Sequence, residues 1–195
     1  TSQCGQTVNE ALVLDNSQYF NDILELDVEN QRCTVRPGIV LDVLNRALKP
    51  HGLWFPVDVS TASRATIGGM AGNNSCGGKS LRYGMMRDNV LSIDAILADG
   101  SQHHFGAAGT DRSSPAFVAL TKELLHLGAR EADEIGARFP KVMRRVGGYN
   151  IDALTPQDNP NNLAQLLVGS EGTLAYSTAI ELKLWPLMPE KILGV

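Results

Sequence analysis

Residues 65–90 read ATIGGMAGNNSCGGKSLRYGMMRDNV. Six of the nineteen glycines fall in this stretch, and the pairs Gly68-Gly69 and Gly77-Gly78 flank the polar run Asn73-Asn74-Ser75. Glycine is favoured where the backbone takes a positive φ or where another body comes too close for a Cβ. Backbone N–H groups freed in that way make concave, positive cradles for phosphate or carbonyl oxygens. A flexible surface loop has the same composition, but Ile67, Met70, Ala71, Leu81, Tyr83 and Met85 punctuate this one with apolar anchors. The stretch therefore reads as a packed, ligand-facing loop, opening on a short helix from Ile67 to about Gly72 with Thr66 as its N-cap.

Upstream, Ile23–Asp27 and Gln31–Arg36 read as two strands around the turn Asp27-Val28-Glu29-Asn30, with Asn30 suited to a left-handed backbone. Leu41, Leu44 and Leu48 recur at helical spacing, so Leu41–Lys49 is predicted as a helix, and Gly52 lies just past its end. Downstream, Val90–Ala98 is a core strand that turns at Asp99-Gly100 into Ser101–Phe105. Residues 116–136 are helical, interrupted at Gly128, with a buried stripe of Phe117, Leu120, Leu124, Leu125 and Leu127. Gly169-Ser170-Glu171-Gly172-Thr173 makes a second glycine turn, and the alternation Leu174, Tyr176, Thr178, Ile180, Leu182, Leu184 marks a strand. Strands and helices intermix without a regular βαβ repeat, which predicts an α+β fold. The GxGxxG fingerprint and the P-loop are missing, so a Rossmann domain is not supported.

Hydrophobic residues at 43% and charged residues at 19% are ordinary for a folded chain of 195 residues. The net charge of −4, without a block of like charges, leaves no electrostatic footprint for nucleic acid. No apolar run reaches the length of a membrane span, and the first residues lack a signal-peptide pattern. Cys4, Cys33 and Cys76 are odd in number and widely spaced, which supports neither a disulfide framework nor a zinc site and suits a reducing cytoplasm. Both ends read as cuts through a longer protein.

Two glycine turns and a polar Asn/Ser loop suggest an extended anionic ligand, such as a dinucleotide or flavin, held by backbone groups. His103-His104 reads as a solvated strand end, His51 as a residue at a helix end, and His126 as part of an amphipathic helix; none has a nucleophile partner by motif. Cys76 reads as a reactive thiol or, favoured because no basic group in the motif stands beside it, as a small residue packed near a ligand. Asp58, Asp88 and Glu171 read as acids or bases or, more commonly for loop carboxylates, as caps or acceptors of backbone amides. In the basic cluster of Lys141, Arg144 and Arg145, Arg144-Arg145 read as reaching a phosphate or carboxylate or, the commoner outcome, as solvated charges.

Four stretches carry a resemblance: TSQCGQ (1–6), FPVDVSTASRATIGGMAGNNSCGG (55–78), RYGMMRDNVLSIDAILADG (82–100) and GSEGTLAYSTAIELKLWP (169–186). In order and spacing they resemble the FAD-binding domain of the vanillyl-alcohol oxidase / p-cresol methylhydroxylase (PCMH-type) superfamily. Within it, they are similar to FAD-linked D-2-hydroxy-acid dehydrogenases of the D-lactate, D-2-hydroxyglutarate and glycolate types. The resemblance implies that residues 1–195 are a partial PCMH-type domain from a larger flavoenzyme, mainly its second subdomain, a mixed sheet flanked by helices, with the first subdomain largely missing. It implies non-covalent FAD, since Thr1 stands where flavinylated relatives carry histidine, and FAD contacts at Thr1, Ser2, Gly5, Gln6, Pro56, Thr61, Ala62, Ser63, Gly68, Gly69, Asn74, Ser75, Gly77, Tyr83, Gly84 and Gly172.

The implied reaction oxidises a D-2-hydroxy acid. The substrate contacts, the catalytic base and any metal would lie in a further domain, and the large bacterial relatives add an iron–sulfur domain; no residue of this chain is expected to be catalytic. A cytoplasmic place is implied, with peripheral association at the inner membrane face also compatible. Two other readings remain open: the FAD domain of another flavoenzyme on the same fold, including a non-redox one, or a nucleotide-binding or structural module without activity.

Overall fold

Leu41, Leu44 and Leu48 are fully buried, as their spacing requires, and anchor the helix they define in the hydrophobic core. The computed structural model describes residues 13–108, 114–157 and 160–188. β1 (Ile23–Asp27) and β2 (Arg32–Val35) form the first hairpin, followed by α1 (Leu41–Leu48), a 3₁₀ turn at Lys49–His51 and β3 (Leu53–Trp54). The glycine stretch folds into α2 (Ile67–Asn73), α3 (Ser80–Tyr83) and α4 (Met86–Asn89). β4 (Val90–Ile96) and β5 (Gln102–Phe105) make the second hairpin. Then come α5 (Pro115–Arg130), α6 (Ala132–Arg138), a 3₁₀ turn at Ile151–Leu154, α7 (Ala164–Leu167), β6 (Tyr176–Lys183) and β7 (Trp185–Pro186).

The main sheet has the order β1-β2-β6-β4-β5 and is antiparallel throughout. The late strand β6 fills its centre. Ile180 lies opposite both Val35 and Ile93, and Leu182 opposite both Cys33 and Val90, so one face of the sheet becomes a continuous apolar row. Ile180, Leu182 and Leu184 are completely buried, each contributing about 1.5–3 kcal/mol relative to exposure. Cys33 is sealed into the same row, and burial, helped by the charge of Glu181, pushes its thiol up to about 12. A second, two-stranded sheet pairs Trp54 with Trp185. This mixture of helices and antiparallel sheet is the α+β class that the pattern predicts.

Several local expectations change. The left-handed residue of the first hairpin is Gln31 (φ 55), because Asn30 is used differently: its N–H donates to Asp27 Oδ1 at 2.9 Å. α5 runs through Gly128 to Arg130 and breaks at Glu131 instead. Gly128 is there for close approach, since a Cβ on it would lie 2.1 Å from the Leu154 carbonyl oxygen. The buried line is Phe117, Thr121 and Gly128, with Leu124 packed beside it on the core as expected, while Leu120 and Leu127 are 37% and 38% exposed. Leu174 stays at the surface, before the strand begins. His103 is buried rather than solvated, stacked on Phe117 with ring centroids 4.3 Å apart. Among the described residues, no helix is long and apolar enough to cross a membrane.

Candidate cofactor-binding site

The glycine helix α2 is the wall shared by two clefts. Thr66 caps it, Oγ1 accepting the Gly69 N–H at 3.3 Å, as its position before the apolar run predicts. Gly68 and Gly72 are four residues apart and share one helical face, whereas Thr66 and Met70, two residues out of step, share the opposite one. The first cleft, about 300 Å³, is lined by Gly68, Gly69 and Gly72 together with Ser170, Glu171 and Gly172. The second, about 410 Å³, is lined by Val59, Thr61, Arg64, Thr66, Met70 and Ser75.

The floor of the first cleft is made where the second glycine turn docks on the end of α2. The Gly169 N–H donates to the Ala71 carbonyl and the Glu171 N–H to the Gly72 carbonyl, both at 2.9 Å. These satisfy two of the carbonyls that a helix leaves unpaired at its C-terminus. Asn73 Nδ2 reaches Glu171 Oε1 at 2.9 Å and ties the same two segments through side chains. The turn needs left-handed backbone at both central residues, Glu171 (φ 55) and Gly172 (φ 75), and closes with the Thr173 N–H on the Ser170 carbonyl at 3.0 Å.

The glycines of the two motifs serve two different purposes. A Cβ on Gly172 would meet no atom within 4 Å, and one on Gly72 only Glu171 Cα at 3.8 Å. Both positions line the first cleft, so their missing side chains leave space in the cleft rather than room for a protein neighbour. Gly68 and Gly77 are packing glycines. A Cβ on Gly68 would lie 2.5 Å from Pro37 Cβ, and one on Gly77 would lie 2.1 Å from the Asp58 carbonyl oxygen.

Of the residues singled out from sequence, Thr61 and Ser75 line the second cleft, and Gly68, Gly69 and Gly172 the first. Thr1, Ser2, Gly5 and Gln6 lie outside the described residues. Pro56, Ala62, Ser63, Asn74, Gly77, Tyr83 and Gly84 line neither cleft. Asn74 is wholly buried, its Oδ1 accepting the Arg87 N–H and its Nδ2 donating to the Arg145 carbonyl. Tyr83 is wedged edge-on between Trp54 and Trp185, at 5.5 and 5.0 Å. Gly84 (φ 81) stands against Asp88, which accepts the Met85 N–H at 2.8 Å. Asp58 accepts the Lys79 N–H at 2.9 Å, so both carboxylates serve backbone amides as predicted. Gly72, Thr66, Arg64 and Glu171 complete the clefts; the i, i+4 spacing of Gly68 and Gly72 is the sequence signal that could have shown Gly72.

A family model described as an FAD binding domain matches residues 1–106. The chain belongs to the FAD-binding domain family. Among relatives of this FAD-binding domain, a D-2-hydroxyglutarate dehydrogenase of Pseudomonas putida is 35% identical over 193 residues, 96% of this chain and 19% of the relative. A glycolate oxidase subunit of Bacillus subtilis is 30% identical, covering 95% of this chain and 30% of the relative. A D-lactate dehydrogenase of Archaeoglobus fulgidus is 32% identical, covering 92% and 30%. The chain thus spans about a fifth of the length of the D-2-hydroxyglutarate dehydrogenases it matches.

FAD is the cofactor of this domain, and the residues fit it. An elongated, two-headed molecule suits two clefts separated by the thickness of one helix, and the open positions at Gly72 and Gly172 are ones that side chains would fill.

Proposed function

We propose that this chain is the flavin-holding part of an FAD-linked oxidoreductase that takes two electrons from a D-2-hydroxy acid of the lactate, 2-hydroxyglutarate or glycolate class. The paired clefts across the glycine helix carry the reading, supported by the three relatives above, whose names describe oxidation of 2-hydroxy acids. FAD, held non-covalently, supplies the electron-accepting ring. The chain's own residues bind and orient it. Gly72 and Gly172 leave the room that admits one end of the dinucleotide to the first cleft, whose wall also carries Gly68 and Gly69 and where Glu171 offers a carboxylate to sugar hydroxyls. Thr61 and Ser75 line the second cleft, where Arg64 sets a positive charge suited to the pyrophosphate. Thr1, Ser2, Gly5 and Gln6 complete the pyrophosphate cradle in this reading. Asn74, Gly77, Tyr83 and Gly84, with Pro56, Ala62 and Ser63, are the frame that keeps α2 and its flanking turns in place.

Residues 1–195 are then part of one PCMH-type domain, and the base that takes the hydroxyl proton lies outside this chain. The absorbance spectrum of the full-length protein tests this. It should show bound oxidised flavin that bleaches anaerobically with D-lactate, D-2-hydroxyglutarate or glycolate and not with L-lactate. A colourless protein overturns the flavin assignment. A yellow protein that none of the three acids bleaches overturns the substrate class.

A further inference from the structure

Arg87 of α4 and Arg145 converge on one carboxylate. Arg87 Nη1 lies 3.0 Å from Asp152 Oδ2, and Arg145 Nη2 lies 2.6 Å from Asp152 Oδ1. The same two nitrogens donate to Asn150 Oδ1, at 3.0 and 3.3 Å. Each guanidinium therefore spends a single nitrogen on these partners, and the rest of its donor fork has no hydrogen-bond partner among the described residues. Both arginine side chains are only 15% exposed. Guanidinium does not deprotonate in proteins, so two cations on one anion leave a poorly hydrated positive charge.

Arg138 and Arg130, which do not line the groove beside this cluster, pair at the surface with Glu134 and Glu131 respectively. Lys141 has no ion pair among the described residues and adds a further positive charge to the same groove. That groove, about 670 Å³, has Arg87, Arg145 and Asp152 on its surface and apolar walls from Ile135, Phe139 and Pro156. Arg145 also lies over the Phe139 ring, its guanidinium carbon 4.5 Å from the centroid.

We propose that this groove is a binding site for an organic anion, a carboxylate or phosphate group on an apolar body. The anion takes up the excess charge of Arg87 and Arg145 through paired hydrogen bonds, and the body lies against Ile135 and Phe139. The groove is separate from both clefts beside α2, yet it is tied to that helix. Asn74, which ends α2 in a left-handed turn (φ 50), accepts the Arg87 N–H at 3.1 Å and donates to the Arg145 carbonyl at 3.3 Å. A ligand that orders the two arginines thereby also orders the end of α2, which makes it an effector of flavin retention; that consequence rests on the flavin reading of the clefts, whereas the anion site does not.

Isothermal titration of the full-length protein at constant ionic strength, with benzoate and phenyl phosphate as probes and benzamide as the uncharged control, tests the site. At least one anion should bind saturably with a dissociation constant at or below about 1 mM, and benzamide should not bind. The stronger probe identifies carboxylate or phosphate as the group preferred. Gly136→Leu is the decisive variant, because Gly136 lines the groove and a Cβ there meets no atom within 4 Å. It should weaken binding at least tenfold with the melting temperature retained, and Arg145→Gln should weaken it to a similar degree. Failure of both anions to bind, or undiminished binding in Gly136→Leu, overturns the site. Binding by a protein that lacks flavin leaves the site standing and overturns only the reading of the clefts.

Discussion

Gly77 and Gly72 lie five positions apart in the same motif and are needed for different reasons. At Gly77 the neighbour is backbone, the Asp58 carbonyl, which cannot rotate away. Gly77→Ala should lower unfolding free energy by about 1–3 kcal/mol, read as a reduced urea midpoint of this chain. At Gly72 the neighbour is open space in a helix, so Gly72→Ala should leave stability equal or raise it by about 0.5–1 kcal/mol in the same measurement. Cys33 supports a pH prediction. Burial holds its folded pKa at about 12, above the ordinary thiol value of 9.0, so above pH 9 the unfolded thiol ionises while the folded one keeps its proton. The folded state then binds more protons, and stability falls as pH rises, by about 1.4 kcal/mol per pH unit from this group alone. The contribution is fully present below pH 9 and is lost as pH climbs towards 12. Comparing denaturation of Cys33→Ala with the parent between pH 9 and 11 should show the shallower decline in the variant; parallel curves would remove the claim.

The most informative element is α5, because its pattern is readable and its packing is not. Phe117 and the leucines at positions 120, 124, 125 and 127 offer a plausible apolar stripe; Phe117 and Leu124 do face the core, but Thr121 and Gly128, seated on Leu154, complete that face while Leu120 and Leu127 turn outward. A glycine inside a helix reads as a weakness until the segment across from it is known, and here that segment, 151–154, is a 3₁₀ turn too short to be marked by periodicity. Gly128→Ala should force α5 away from that turn and cost about 1–3 kcal/mol, with hydrogen exchange rising in both segments; exchange raised in α5 alone would contradict the contact. Asn150 is the matching hub on the other side. It is 1% exposed, accepts from both arginines, and donates to the Gln165 and Val168 carbonyls at 3.2 and 2.7 Å. The Gly-Gly-Tyr-Asn string around it has no period, so its reach across these segments could not be read beforehand.

For the molecule as a whole, the architecture separates what holds the cofactor from what holds the fold. The first cleft exists only because the turn at residues 169–173, about a hundred positions later in the chain, pairs with the carbonyls that end α2. A side chain at Gly72 should therefore act on the cofactor without acting on the fold. In the full-length protein, Gly72→Leu should reduce flavin per polypeptide at least tenfold while the melting temperature of flavin-free protein stays within about 2 °C, a shift smaller than 1 kcal/mol produces in most domains. Gly68→Val cannot make the distinction, since its side chain would strike Pro37 and disturb fold and cofactor together. Unchanged flavin content in Gly72→Leu would show that the first cleft is not used.

By itself the sequence determined the elements that rest on neighbours a few residues away: both hairpins, the Leu41–Leu48 helix, the Thr66 cap on α2 and the order of the four FAD-domain stretches. Periodicity, caps and turn residues act over one or two turns of chain, and those signals are written locally. Tertiary structure alone decided which glycines face a ligand and which face backbone, that His103 is buried, and that Arg145 is not part of a solvated cluster but shares Asp152 with Arg87. The physical reason is that each of these depends on what stands across from the residue. In this fold that partner is often distant in sequence, as with Asn73 and Glu171, 98 positions apart.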